Sequence, residues 1–105
     1  MPIKKISDLK TFEEEVLSSD NILIKFEADW CFPCKAMSPL LVDLAKNNPQ
    51  IKVMAVDIEG DGIYGILNKF EVKSVPTFVR VKNGCLVKKM VGTISRVELS
   101  SMVED

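Results

Sequence analysis

The chain contains no histidine and only three cysteines. A structural zinc site usually takes four cysteine or histidine ligands, and iron–sulfur clusters are usually held by four cysteines. One chain therefore has too few ligands for either centre unless two chains share it, and we expect no metal site. An odd number of cysteines also cannot form the paired disulfide framework of a small secreted domain. These absences leave redox chemistry of the cysteines as the function to examine.

Neither sign of charge is in excess, because 14 basic residues stand against 15 acidic ones. The net charge of -1 gives no global field to attract nucleic acid or an acidic membrane surface, and we expect neither as a partner. No apolar run approaches the roughly 20 residues that cross a bilayer. Residues 1–5 also lack the apolar core of a signal peptide, so we expect a cytoplasmic protein.

The length of 105 residues and the hydrophobic share of 47% suit one domain over residues 1–105. Apolar and β-branched segments predict strands over residues 3–6, 22–28, 51–58, 77–81 and 86–91. Helical spacing of apolar residues predicts a first helix capped by Ser7 or Asp8, and further helices over residues 34–47, 63–70 and 95–103. The order β-α-β-α-β-α-β-β-α predicts an α/β fold of three layers, with a central mixed sheet and helices on both faces. Asn83 and Gly84 predict a tight turn, which makes the last two strands an edge hairpin.

Two of the cysteines, Cys31 and Cys34, are separated by two residues where a predicted strand gives way to a helix. Cysteines at this spacing can close a small disulfide ring, and we expect the first sulfur to stay exposed at the helix N-terminus. The unpaired N–H groups and the helix dipole there favour a thiolate. Reactive pairs of this kind have thiol pKa values near 7, against about 8.5 for a free cysteine, roughly 2 kcal/mol of thiolate stabilisation. We therefore predict thiol–disulfide exchange, with Cys31 as the attacking thiolate and the less accessible Cys34 as the resolving thiol.

Residues 26–35, with the sequence FEADWCFPCK, resemble the active-site segment of thioredoxins. The resemblance extends over nearly the whole chain. Pro39 falls at the family's helix-kinking proline, and Val75-Pro76-Thr77 resembles the loop that holds its cis-proline. Lys82-Asn83-Gly84 and Val91-Gly92 resemble the late hairpin and the glycine that follows it. A cysteine pair alone would be weak evidence, but these features together identify the family.

The resemblance implies a thioredoxin fold and a protein dithiol-disulfide oxidoreductase that reduces client disulfides. It also implies a disulfide reductase such as thioredoxin reductase as electron donor. We expect a monomer that binds no cofactor and works through its redox-active disulfide. Trp30 would shield the disulfide, and Val75 and Pro76 would lie against the sulfurs and present backbone groups to a client peptide. Gly92 would leave space for the client backbone.

Two positions depart from the family pattern. Phe32, before Pro33, stands where thioredoxins usually carry glycine, which bears on redox potential and client choice. Lys25 aligns with the family's buried aspartate behind the active site. Lys25 and Glu27 point to the same face of a strand and could pair, so we hypothesise that together they replace that carboxylate. There are two alternatives. Lys25 and Glu27 could form only a structural ion pair, or Lys25 could stand alone as an ammonium that makes the disulfide more oxidising.

Other interpretations remain open at this point. The fold could serve a disulfide oxidase or isomerase, or a binding module whose cysteines are vestigial. Intact Cys31, Cys34, Trp30 and Pro76 argue against the binding module. The third cysteine, Cys85, we interpret as an incidental thiol, although an exposed thiol there could dimerise or accept glutathione. Three acidic residues, Asp57, Glu59 and Asp61, form a cluster that could bind a cation. Without a complete ligand-loop pattern, we interpret it as a solvated loop without a metal.

Overall fold

The structure is a computed structural model that describes residues 3–104. Its strands are β1 (Ile3–Asp8), β2 (Asn21–Glu27), β3 (Lys52–Asp61), β4 (Thr77–Lys82) and β5 (Cys85–Val91). Its helices are α1 (Leu9–Leu17), α2 (Phe32–Asn47), α3 (Tyr64–Lys69) and α4 (Arg96–Ser101). The predicted order of elements is therefore confirmed. The predicted domain, 1–105, includes Met1, Pro2 and Asp105, which lie outside the described residues.

The five strands form one sheet in the order β1-β3-β2-β4-β5. β3 pairs in parallel with both β1 and β2, whereas β4 pairs antiparallel with β2 and β5. Asn83 and Gly84 connect β4 to β5 with φ angles of 53° and 80°, the left-handed conformation that such a tight turn requires. This confirms the mixed sheet and the hairpin at its edge.

Alternate residues of each strand face opposite sides of the sheet, and each side carries its own core. On one side, Leu23 and Phe78 are buried with residues of α2 and α4, such as Met37 and Leu99. On the other side, the core contains residues of β2, α1 and α3 among others, including Ile24, Phe12 and Ile66. The three-layer α/β prediction is confirmed. Among residues 3–104, no helix has the length and apolar character needed to span a membrane.

The third strand is longer than the sequence predicts, because β3 continues through the acidic segment to Asp61. Pairing with β1 holds this extension, since Asp8 pairs with Asp61 after a shift of register. The chains approach closely here. A Cβ on Gly60 would lie 2.5 Å from the carbonyl oxygen of Ser7. The predicted solvated loop over the three acidic residues is therefore wrong.

The active-site helix begins earlier than the apolar stripe alone predicts, at Phe32 rather than at residue 34. Cys31 caps it, and Pro33 lies in the first turn, where its missing N–H costs no helical hydrogen bond. Pro39 lies inside α2, as predicted. The last helix is shorter than predicted, and a reciprocal capping box between Ser95 and Glu98 fixes its start.

Candidate active site

Cys31 and Cys34 form a disulfide at the junction of β2 and α2, with their Cα atoms 5.3 Å apart. The backbone N–H of Cys34 donates a hydrogen bond to Cys31 Sγ at 3.1 Å. The Cys31 sulfur thus occupies the N-cap of a helix of 16 residues, where backbone donors are not satisfied within the helix. The predicted cysteine pair is present in the predicted place.

The disulfide is more enclosed than the sequence suggests. Cys31 is 4% exposed and Cys34 is 2% exposed, so the expectation of an exposed first sulfur is wrong for this oxidised form. The physical reason is packing from other elements. Ala28 shares a buried cluster with both cysteines, and Ile58 and Val75 pack against it.

The loop before β4 and the residue after β5 meet beside this cluster. The Val75–Pro76 peptide bond is cis, as the resemblance implies, and Pro76 is buried. The N–H of Gly92 donates to the carbonyl oxygen of Pro76 at 2.8 Å. Gly92 has a φ angle of 90°, a conformation that few residues other than glycine adopt. The structure therefore places Val75, Pro76 and Gly92 in one neighbourhood.

Trp30 lies next to the disulfide in sequence and is 63% exposed. Its Nε1–H donates a hydrogen bond to Glu59 Oε1 at 3.2 Å. Glu59 is itself held by a contact within β3, where its N–H donates a hydrogen bond to Asp57 Oδ1 at 2.9 Å. Trp30 and Val75 line a groove of about 510 Å³ beside the disulfide. The sequence places Glu59 only in an acidic cluster, and its spacing does not predict a contact with a tryptophan 29 residues away.

Phe32 and Pro33 open α2 and are both exposed. The ring of Phe32 is 82% exposed, and Lys35 Nζ lies 5.7 Å from its centre. Together with Trp30, the two residues give the site an apolar rim on the side of the helix N-terminus.

Lys25 lies behind the disulfide, in the middle of β2, and its side chain is 1% exposed. Its Nζ forms an ion pair with Glu27 Oε1 at 2.8 Å, and the Glu27 side chain is 22% exposed. The predicted pairing along one face of the strand is present. The directly paired neighbours of Lys25 in the sheet are Ala55 on β3 and Phe78 on β4.

The same ammonium group reaches α2. Lys25 Nζ donates to the carbonyl oxygen of Cys34 at 2.6 Å and to Ser38 Oγ at 3.1 Å. Ser38 Oγ also donates to the Cys34 carbonyl, at 3.3 Å. Lys25 therefore connects the centre of the sheet to the helical turn that carries the disulfide. The sequence does not predict Ser38 as a site residue. The one feature that could have indicated it is its position one helical turn after Cys34.

Comparison with known proteins gives a family match over the same region. The family model described as thioredoxin matches residues 3–105. The chain belongs to the thioredoxin family. A thioredoxin of Mycolicibacterium smegmatis is 34% identical over 97 residues, which span 90% of this chain and 87% of that protein. A thioredoxin of Haemophilus influenzae is 37% identical over 95 residues, which span 88% and 86%.

Solved thioredoxin structures show the same fold. The crystal structure of oxidised mitochondrial thioredoxin 3 from Saccharomyces cerevisiae superposes with a TM-score of 0.82 at 32% identity. That match covers 96% of this chain and 92% of the yeast chain. Oxidised thioredoxin O2 from Arabidopsis thaliana gives a TM-score of 0.83 at 27% identity, with 95% and 90% covered.

Family membership and the cysteine pair together define the activity. This member of the thioredoxin family is a dithiol-disulfide oxidoreductase whose redox group is the Cys31–Cys34 disulfide. Cys85, at the start of β5, is exposed and takes no part in that disulfide. Among residues 3–104, no group of three or more potential ligands is placed to hold a metal ion.

Proposed function

We propose that this protein reduces disulfides in client proteins, with Cys31 as the attacking thiolate and Cys34 as the resolving thiol. The observation that carries the assignment is the position of Cys31 Sγ at the N-cap of α2, where it accepts the N–H of Cys34. Such a position favours negative charge on that sulfur. Cys34 lies one turn inside the helix and takes the second role.

The reaction has two displacements. In the first, the Cys31 thiolate attacks one sulfur of the client disulfide, and a mixed disulfide forms while the other client sulfur leaves as a thiolate and takes up a proton. In the second, Cys34 loses its proton and attacks Cys31, and the bond to the client breaks. The client gains two electrons and two protons, and the Cys31–Cys34 disulfide remains.

The exposed apolar rim receives the client. Trp30, Phe32 and Pro33 offer apolar contact at the helix N-terminus. Val75, Pro76 and Gly92 form the opposite side, where the backbone of Val75 and a residue without a side chain suit an extended peptide. This division is supported by the contact of Val75 with the cysteine cluster and by the hydrogen bond between Gly92 and Pro76.

A disulfide reductase such as thioredoxin reductase closes the cycle, as is typical of the family. The protein acts as a monomeric domain over residues 1–105 in the cytoplasm, and it needs no bound cofactor because the two sulfurs carry the electrons. A reducing compartment suits this direction of electron flow.

Reduction of a protein disulfide by a thiol donor tests the assignment. Cys31→Ser should abolish turnover, Cys34→Ser should accumulate a mixed disulfide with the client, and Cys85→Ser should match the wild type. Turnover retained by Cys31→Ser, or a client trapped through Cys34, would contradict the assigned roles.

A second candidate function is disulfide formation or isomerisation. The observation that favours it is the buried ammonium of Lys25, which contacts the backbone of Cys34. The reduction potential separates the two directions. A value near about -270 mV supports a reductant, and a value near or above about -180 mV supports an oxidase or isomerase.

A further inference from the structure

The ammonium of Lys25 is fully hydrogen-bonded inside the protein. Its three N–H donors match three oxygen partners, on Cys34, Ser38 and Glu27, at distances of 2.6, 3.1 and 2.8 Å. A buried charge is costly unless it is paired and hydrogen-bonded, and this one is both. The three contacts therefore hold the amino group of Lys25 in one orientation.

The two charges of the Lys25–Glu27 pair are not equally placed with respect to the disulfide. The ammonium contacts the backbone of Cys34 and is 1% exposed. The carboxylate of Glu27 is 22% exposed and lines a polar opening of about 210 Å³. Lys5 from β1, Asp57 from β3 and Asp29 after β2 share that opening. Solvent screens the carboxylate more than the ammonium. The net electrostatic potential of the pair at the cysteines is therefore positive.

We propose that Lys25 is a positioning residue that raises the reduction potential of the Cys31–Cys34 pair. This inference rests on the proposed function. Reduction converts an uncharged disulfide into a thiolate and a thiol, and a fixed positive charge behind Cys34 stabilises the thiolate form. The same charge eases the loss of the Cys34 proton when the mixed disulfide is resolved. Lys25 acts through the carbonyl of Cys34 and contacts no client atom.

The chain offers a matched control on the same helix. Lys35 follows Cys34 directly and is exposed, with its Nζ over the ring of Phe32. Solvent screens its charge, so Lys35→Met removes one positive charge near the site without removing a buried one. All variants carry Cys85→Ser, so that only one pair of sulfurs equilibrates with glutathione.

The experiment measures the equilibrium constant with glutathione and the ultraviolet absorbance of the thiolate. Lys25→Met should shift the constant about tenfold toward the disulfide, about 30 mV, and should reduce the thiolate fraction at neutral pH. Lys35→Met should stay within about twofold of the parent. A purely structural lysine would change the stability of the oxidised and reduced forms alike, and the constant would not move.

A second variant keeps the test decisive if Lys25→Met does not fold. Lys25→Met with Glu27→Gln leaves no unpaired buried charge and should shift the constant in the same direction, by less. An unchanged constant in both, or an equal shift in Lys35→Met, overturns the inference. Absence of exchange in the parent protein would instead overturn the proposed function, so the two failures are distinguishable.

Discussion

Trp30 donates its indole N–H to the carboxylate of Glu59 across 3.2 Å. The contact joins the residue before the cysteine pair to the C-terminal part of β3, a strand that follows α2 in the sequence. Because the ring is 63% exposed, little packing fixes its orientation, and this hydrogen bond does so instead. The groove beside the disulfide therefore depends on an acidic residue outside the active-site segment.

The first prediction concerns that contact. Glu59→Ala should raise the KM for a protein disulfide about threefold and leave kcat unchanged, because the ring of Trp30 loses its fixed orientation in the free protein. Glu59→Gln keeps an acceptor oxygen and should resemble the wild type. Steady-state kinetics with one client would decide, and an equal loss in both variants would point to charge rather than to the hydrogen bond.

The second prediction concerns the exposed phenylalanine. Phe32→Gly should raise the KM for an unfolded protein client about fivefold, as expected for the loss of roughly 1 kcal/mol of apolar contact. Because the ring is 82% exposed, little packing is lost within the folded protein. Phe32→Leu, which keeps an apolar side chain, serves as the control. A KM for Phe32→Gly equal to that of the wild type would show that clients do not contact this ring.

The third prediction compares two glycines whose surroundings differ. Gly60→Ala places a Cβ 2.5 Å from the carbonyl oxygen of Ser7 and should lower the free energy of unfolding by about 2 kcal/mol. Gly65→Ala places a Cβ on α3 where no atom beyond its chain neighbours and the helix's own backbone lies within 4 Å, and it should raise that free energy by up to about 1 kcal/mol. Urea denaturation measures both. A Gly60→Ala protein as stable as the wild type would mean that β1 and β3 separate there at no cost.

The fourth prediction concerns pH. The side chain of Lys52 donates a hydrogen bond to Glu15 at 2.8 Å and holds the pKa of that carboxyl below its ordinary value of 4.5. A pKa that is lower in the folded state stabilises the fold at pH values above 4.5, and this contribution is lost as the pH falls through the lowered value. Glu15→Gln should therefore be less stable than the wild type near neutral pH, and the difference should narrow in acid.

Denaturation at a series of pH values measures that difference, and Lys52→Met provides the partner variant. Lys52 also donates to Ser18 Oγ, so part of its effect should not depend on pH. A difference between Glu15→Gln and the wild type that stayed constant from neutral to acid pH would contradict the prediction.

Local patterns were sufficient for much of the fold. Helical spacing and β-branched runs predicted the element order, and Asn83 with Gly84 predicted the hairpin because the turn depends on two adjacent residues. The spacing of Cys31 and Cys34 predicted their disulfide for the same reason. Each of these features is encoded within a few positions of the chain.

Features that depend on tertiary packing were either not predicted from the sequence or predicted wrongly. β3 extends to Asp61 because β1 pairs with it, and no local pattern in the acidic segment indicates that partner. Enclosure of Cys31 comes from Ile58 and Val75, which belong to distant parts of the chain. The contact of Lys25 with Ser38 depends on how α2 packs over the sheet, whereas the pairing with Glu27 followed from their spacing along one strand.

The small size of Ala55, which is paired with Lys25, limits which other proteins could accommodate a buried lysine at this position. Ala55 is directly paired with Lys25 in the sheet and shares its face, so a long side chain there would occupy the path of the lysine. Glu27 and Ser38 then supply two of the three acceptors. The four positions are therefore coupled: without Glu27 and Ser38, a lysine at position 25 would be a buried charge that keeps one of its three acceptors.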